Sequence, residues 1–318
     1  MPINANDAAL TQSQMSAPTP PVSISAPWSK LAPKVTIGSI ERLDNLPSQH
    51  IDVRPIDVWL PPDYSPAQRY AVLYMHDGQN LFDPVQTWNK TAWNVHEALS
   101  KLMRVGVVQN TIVVGIPSHE THRYSEYFPE KFLALLPPAE RDHYVRCAQW
   151  GKPLADAYLR FVVQELKPAI DARYATVMGP EGTFTMGSSM GGLISIYALC
   201  EYPQVFGGAA GLSTHWIGKP SNWGTPEQIQ NASLPLAAFT YLHRQLPKPG
   251  THRIYTDQGT TGLDAVYTPH HAYANLLAAQ RGYTAADWQS QVAVGTGHTE
   301  LDWAARVDVP LKFLLAPR

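Results

Sequence analysis

Cysteine is scarce in this chain: two residues, Cys147 and Cys200, in 318. That excludes a disulfide-stapled scaffold and a zinc site of the usual ligand spacings. Two inert thiols are expected, with a single bridge left open for an exported protein. Excess charge is also lacking, since the net value is -2 and charged residues make up 16%. There is thus no basic field for nucleic acid and no acidic tail, and a small or neutral partner is expected. No apolar run reaches the length of a membrane span, so no membrane partner is expected. No internal repeat occurs, and no Gly/Ser/Pro linker divides the chain after residue 50. The opening "MPINANDAALTQSQMSAPTPPVSISAP" lacks the basic and apolar regions of a secretory signal. As written the chain reads as cytoplasmic, although a mature exported (periplasmic or secreted) protein would look much the same. Oligomeric state is left open.

Metal-ligand patterns are missing too. "HETH" at 119–122 is not H-E-x-x-H, and Asp77 and Asp83 lack a calcium-loop pattern, so no metal is expected. Asn89-Lys-Thr and Asn231-Ala-Ser match glycosylation acceptors, a pattern too common to carry weight alone.

Aromatic residues, by contrast, are plentiful, with nine Trp and fifteen Tyr. Those in irregular stretches such as "SEYFPEKF" and "STHWIGKPSNWG" suggest either an aromatic-walled pocket or packing under long loops. Residues 1–34 read as a disordered or extended arm rich in Ala, Pro, Ser and Thr. Residues 35–318 read as one domain. From about residue 50, short β-rich runs alternate with helical periods, the βαβ rhythm of a mostly parallel sheet. "RPIDVWLP", "YAVLYMHDG", "NTIVVGIP", "TFTMG", "GGAAGLS", "HRIYTD" and "WQSQVAVG" are predicted strands. "TAWNVHEALSKLMR", "LPLAAFTYLHRQL" and "PHHAYANLLAAQRG" are predicted helices, and a last helix ends near "LKFLL". In "LADAYLRFVVQELKPAID", Leu154, Tyr158, Phe161, Val162, Leu166 and Ala169 recur at helical spacing and should face the sheet. Residues 118–152 look irregular, a rim insertion.

"FTMGSSMGGLISIYALCEYP" sets two serines side by side. Gly187, Ser189 and Gly191 fit G-x-S-x-G, whereas Ser188 is centred on no such pair. Predicted strand, tight turn and predicted helix follow in order, which is the context that exposes a nucleophile on a strained elbow. The amide of Met190, at the helix start, would then point at an oxygen that becomes negative on attack. A second donor should come from the loop after an earlier strand, where "MHDGQNLFD" offers the Gln79 amide first and Gly78 second.

A serine hydroxyl needs a neighbouring imidazole to take its proton. "VAVGTGHTELDW" places His298 between the last strand and the final helices, while His270 and His271 fall at a helix start and His252 before a strand. His298 is therefore the expected base. The acid should follow "HRIYT", where Asp257 and Asp264 both qualify. Position favours Asp264, beyond the Gly-rich turn, with Asp257 kept as the second candidate.

Taken together, "DVWLPPDY", "YAVLYMHDGQNLFD", "TWNKTAWNV", "GSSMGGLISIYA", "STHW", "GTTGLDAVY" and "GTGHTELDW" resemble the putative esterase family of α/β-hydrolases. That family includes esterase D, enterochelin esterases, feruloyl and acetyl xylan esterases and the mycolyltransferases. The resemblance implies an α/β-hydrolase fold with helices on both faces of the sheet. It also implies a serine carboxylic-ester hydrolase that needs no cofactor and acts on a small-molecule ester. The family's nucleophile falls on Ser189, its oxyanion amide on Met190, its histidine on His298 and its acid on Asp264. Three departures are Gly262 before "LD", the rim insertion "EKFLALLPPAERDHYVRCAQWGKP" and His96 at a helix position that is acidic in relatives. An acyltransferase with the same triad, or a non-catalytic relative, are the rival expectations. Trp88, Tyr127, His215 and Trp216 are the expected pocket residues, from their loops near strand ends.

Overall fold

A computed structural model describes residues 28–217 and 233–317. Asn231 and most of the polar loop before "LPLAAF" lie outside the described residues, as do residues 1–27 of the expected arm. Its last part is no free arm. Trp28 donates its indole N–H to the Ser118 carbonyl at 2.9 Å, and the Arg54 guanidinium lies over its ring.

Eight strands among the described residues form one sheet: β1 (Ser39–Leu43), β2 (Ile56–Leu60), β3 (Ala71–His76), β4 (Thr111–Ile116), β5 (Thr183–Ser188), β6 (Gly208–Leu212), β7 (Arg253–Gly259) and β8 (Trp288–Ala293). Their order is β1-β2-β4-β3-β5-β6-β7-β8, antiparallel at the first two pairings and parallel from β4 to β8. This is the α/β-hydrolase fold. β1 escaped prediction because "SIERL" is a half-exposed edge strand without clean alternation.

Side chains of β3 alternate between two cores. Val72 and Tyr74 join the core under α5 (Ala155–Arg160), α6 (Lys167–Arg173), α7 (Met190–Glu201), α8 (Ser233–Gln245) and α9 (Thr268–Gln280). Ala71, Leu73 and Met75 join the core under α1 (Val95–Arg104) and the final helix, α11 (Asp308–Leu315). Cys200 is buried and Cys147 partly exposed, both as free thiols, so the optional bridge does not form.

Two predicted stretches differ in detail. Between α5 and α6 the segment Phe161–Leu166 winds as a π-helix. The extra residue in a π turn rotates the following face, so Ile170 is buried where Ala169 was expected. The insertion at 118–152 is not irregular but carries α2 (Arg123–Tyr127), α3 (Glu130–Leu133) and α4 (Pro138–Ala148). Prolines at 129, 137 and 138 cut off the short α2 and α3, and α4 buries only Tyr144 and Ala148, too few to mark an apolar face.

α2 is tied down electrostatically. Arg54 and Glu126 are both buried and pair through Nη1–Oε2 at 2.8 Å and Nη2–Oε1 at 2.5 Å, and Arg54 also donates to the Pro117 carbonyl. Breaking such a pair strands one charge, so Arg54→Ala should cost about 3–5 kcal/mol in urea denaturation. The double variant Arg54→Met/Glu126→Leu should recover most of that loss, because both charges then leave together.

Candidate active site

Ser189 sits between β5 and α7 with φ 55° and ψ -123°, left-handed torsions that a side-chain-bearing residue rarely adopts. Its neighbours hold it there: Ser189 N–H donates to Leu212 O at 2.9 Å, and His215 N–H donates to Ser189 O at 3.2 Å. The tight turn also needs Gly187, since a Cβ at that position would lie 2.6 Å from the Gly191 carbonyl carbon. Strain stored in a turn and fixed by surrounding bonds is typical of functional positions.

A cavity of about 210 Å³ opens beside this turn. Ser188, Ser189, His298, Gln79, Trp88 and Trp303 line it, with Arg123, Tyr124 and Glu300 also on its wall. The sequence thus brought the serine, the histidine, Gln79 and Trp88 to one place. Tyr127, His215 and Trp216 require correction, because none of them lines this cavity. Tyr127 is buried behind it, its Oη accepting the Asp77 N–H at 3.1 Å. His215 is buried with Nδ1 against the Tyr267 hydroxyl at 2.5 Å. Trp216 is buried against Phe239. Loop origin alone did not reveal which way these rings turn. His96 is likewise buried, beside Phe82 and Thr36.

His298 lies between β8 and α10 (Glu300–Ala304). Its Nδ1 and Asp264 Oδ1 are 2.6 Å apart. Trp303 and Tyr267 meet the imidazole edge-on, at ring-centroid separations of 5.0 and 5.8 Å. The loop is shaped by Asp302, which accepts from Gly297 N–H at 3.0 Å and from the Thr299 hydroxyl at 2.7 Å.

Asp264 is fully buried and accepts two further bonds on Oδ2, from Ser213 Oγ at 2.5 Å and from Gly259 N–H at 2.6 Å. Burial opposes its ionisation. The bonds from His298 and Ser213 outweigh that opposition and hold its carboxyl below the ordinary carboxylate range.

Asp257 has a different station. It pairs with Arg306 through Nε–Oδ2 at 2.9 Å and Nη2–Oδ1 at 3.0 Å, and also accepts from Ser213 N–H and Tyr255 Oη. Arg306 Nη2 and Trp303 Nε1 both donate to Ser213 Oγ, at 2.9 and 2.8 Å. Ser213, at φ 43°, therefore links the two aspartates. Sequence reading missed Ser213, Arg306 and Trp303. The signal available was a lone late arginine near a buried stretch, which must find a carboxylate.

On the opposite wall, Arg123 grips Asp77 through two bonds of 2.7 Å. Burial favours the neutral acid at Asp77, yet the Arg123 guanidinium prevails and keeps that carboxyl low. Asp77 has φ 55° and leads into the short 3-10 turn Gly78–Asn80. Gly78 is required there, because a Cβ would lie 2.5 Å from the backbone of β4. Asn89, the first glycosylation candidate, donates to Glu300 Oε2 at 2.6 Å. His119, from "HETH", pairs with Asp52 at 3.1 Å. Among the described residues no group of three or more His, Cys, Asp and Glu is arranged for a metal ion. No described helix is long and apolar enough to cross a membrane.

Comparison with known proteins agrees with this architecture. The family model described as "Putative esterase" matches residues 52–308. The uncharacterized protein YjcH of Bacillus subtilis (strain 168) is 29% identical over 151 residues, 47% of this chain and 51% of that protein. The siderophore triacetylfusarinine C esterase of Aspergillus fumigatus is 29% identical over 140 residues, 42% of this chain and 40% of that one. The matches thus span about half or less of these curated relatives. Among solved structures, a ferulic acid esterase superposes with a TM-score of 0.61 at 16% identity, covering 88% of this chain and 98% of its own. The enterobactin esterase of Shigella flexneri also gives 0.61, at 17% identity over 92% and 61% of the two chains. At these identities the structures establish the shared fold.

Two tests follow from the geometry. Asp257→Asn should lower stability by about 3 kcal/mol in chemical denaturation, since Arg306 would keep its charge in a buried place without a counterion. The second concerns His76, whose ring touches Tyr158 Oη and Thr185 Oγ1 and which burial pushes down to about 3. The native imidazole stays neutral while the unfolded one, near 6.5, takes a proton. His76 therefore makes stability fall as pH drops from 6.5 towards 3, by up to about 1.4 kcal/mol per pH unit, and His76→Gln should flatten that slope in urea melts.

Proposed function

This chain belongs to the putative esterase family, and from that premise we propose that it hydrolyses carboxylic esters through an acyl-enzyme formed on Ser189. The observation that carries the reading is the 2.6 Å contact of His298 with Asp264, on a cavity shared with the strained serine. Asp264 accepts the Nδ1 proton, which leaves Nε2 unprotonated and able to act as a base. Ser189 Oγ attacks the ester carbonyl carbon while Nε2 takes its proton, and the carbonyl oxygen becomes an oxyanion. The amides of Met190 and Gln79 stabilise that charge. Collapse of the tetrahedral intermediate breaks the bond to the alcohol oxygen, which leaves with the proton from Nε2. Water then enters, gives a proton to Nε2 and attacks the acyl carbonyl, and Ser189 departs with that proton.

Asp264 stays ionised throughout and offsets the imidazolium each time it forms. The aromatic rings of Trp303 and Tyr267 keep the imidazole from swinging away from its acid. No protein-bound cofactor is required. The substrate class supported by the relatives is an ester of a hydroxyaromatic acid or of a siderophore, since similar proteins are a ferulic acid esterase, an enterobactin esterase and a triacetylfusarinine C esterase. Tyr124, Trp88 and Trp303 on the cavity wall suit a planar acyl or alcohol group.

The test is a panel of p-nitrophenyl, feruloyl, acetyl-sugar, catecholate and hydroxamate-siderophore esters. Ser189→Ala should lower kcat on the best of them by about 10⁴-fold or more, and Asp264→Asn by about 10⁴-fold, with folding checked by circular dichroism. An alanine variant as active as the wild type would overturn the nucleophile. Product analysis with an added alcohol would reveal acyl transfer if the ester of that alcohol accumulates in place of free acid.

A further inference from the structure

We propose that the Glu300 wall of the cavity is an ammonium-binding subsite, which selects esters carrying a protonated primary amine. The proposal rests on the esterase reading above and names a recognition group for its substrate. Glu300 lies two residues beyond His298 and lines the same cavity, with only 7% of its surface exposed. Its carboxylate oxygens are served unequally. Oε2 accepts from Asn89 Nδ2 at 2.6 Å. Oε1 has only the Trp88 indole N–H at 3.4 Å and the Asn80 amide at 3.5 Å. Normal N–H···O bonds fall between about 2.7 and 3.2 Å, so Oε1 keeps most of its accepting capacity.

Charge is unbalanced at this spot as well. The other carboxylates of the site have partners that are or become cationic: Asp77 has Arg123, Asp257 has Arg306, and Asp264 has His298. All three donors to Glu300 are neutral, and among the described residues it forms no ion pair. An ionised carboxylate held out of water without a counterion is costly, and a ligand cation removes that cost.

Its neighbour Asn80 is fixed in orientation. Asn80 lines the cavity at 8% exposure, and its Oδ1 is buried without a hydrogen-bond partner. Exchanging its amide atoms does not help, because that would set a carbonyl oxygen against Glu300 Oε1. One primary ammonium, with three N–H donors and a positive charge, can bond the under-used Glu300 Oε1 and balance the carboxylate. A hydroxyl brings a donor without the charge, and a quaternary ammonium brings the charge without a donor. Asn80 adjoins Gln79 in the 78–80 turn and Glu300 adjoins the His298 loop, so the ammonium would sit on the same molecule as the ester that Ser189 attacks.

The experiment compares butylammonium, butan-1-ol and butyltrimethylammonium at constant ionic strength and neutral pH. Binding is read by calorimetry and by competition with p-nitrophenyl butanoate. Butylammonium should bind about tenfold tighter than either relative, and Glu300→Gln, checked for native circular dichroism, should bring all three within about twofold. Equal binding of the three to wild type overturns the subsite, and so does an ammonium preference that survives in Glu300→Gln. Calorimetry needs no turnover, so a failed subsite leaves p-nitrophenyl hydrolysis intact. Loss of hydrolysis with the ammonium preference retained would count against the esterase reading alone.

Discussion

The site is organised around a single buried carboxylate. Asp264 takes one bond from His298, one from Ser213 and one from the Gly259 backbone, and each partner belongs to a different segment of the chain. A carboxylate withdrawn from water is tolerable only when such bonds replace its hydration. Satisfying Asp264 and assembling the loops after β6, β7 and β8 are therefore one event. The Arg306–Asp257 pair and Trp303 act on the same arrangement through Ser213, whose hydroxyl can serve the acid because it accepts from the other two. Remove that coupling and the imidazole loses the bonded partner that fixes its orientation.

Much of this could be read before any coordinates, for identifiable reasons. Period-two and period-3.6 patterns located the parallel strands and long helices, because each has one face committed to a core. The tight turn at Ser189 was legible through its glycines, since a chain crowded at Gly187 and Gly191 needs them there. His298 was legible from its slot between the last strand and the final helices. The choice of Asp264 over Asp257 could only lean on position, as both flank one turn. What separates them in space is Arg306, which claims Asp257 from 49 residues away.

Other features were opaque for equally physical reasons. Nothing local tells Tyr127 from Tyr124, yet one stands behind the Asp77 backbone and the other on the cavity wall. Which one faces the cavity is decided by the orientation of α2, and that orientation is fixed by the buried Arg54–Glu126 pair across 72 residues. The π turn before α6 shifts a helical face by one residue, and its one local sign is Pro168 just beyond it, which has no N–H for the Gln164 carbonyl. Glu300 has nothing local to set it apart, because Trp88, Asn89 and Asn80, which converge on it, lie more than 200 residues earlier in the chain.

The order of the parts along the chain has a biosynthetic consequence. Ser189, its elbow and seven of the eight described strands precede Asp264 and His298 in sequence, and a ribosome delivers segments from the N-terminus onward. A nascent chain can complete the strained turn while still lacking the two side chains proposed to deprotonate its hydroxyl and to orient the base. On the proposed mechanism, reactivity therefore arrives last, with the docking of β8 and the C-terminal helices.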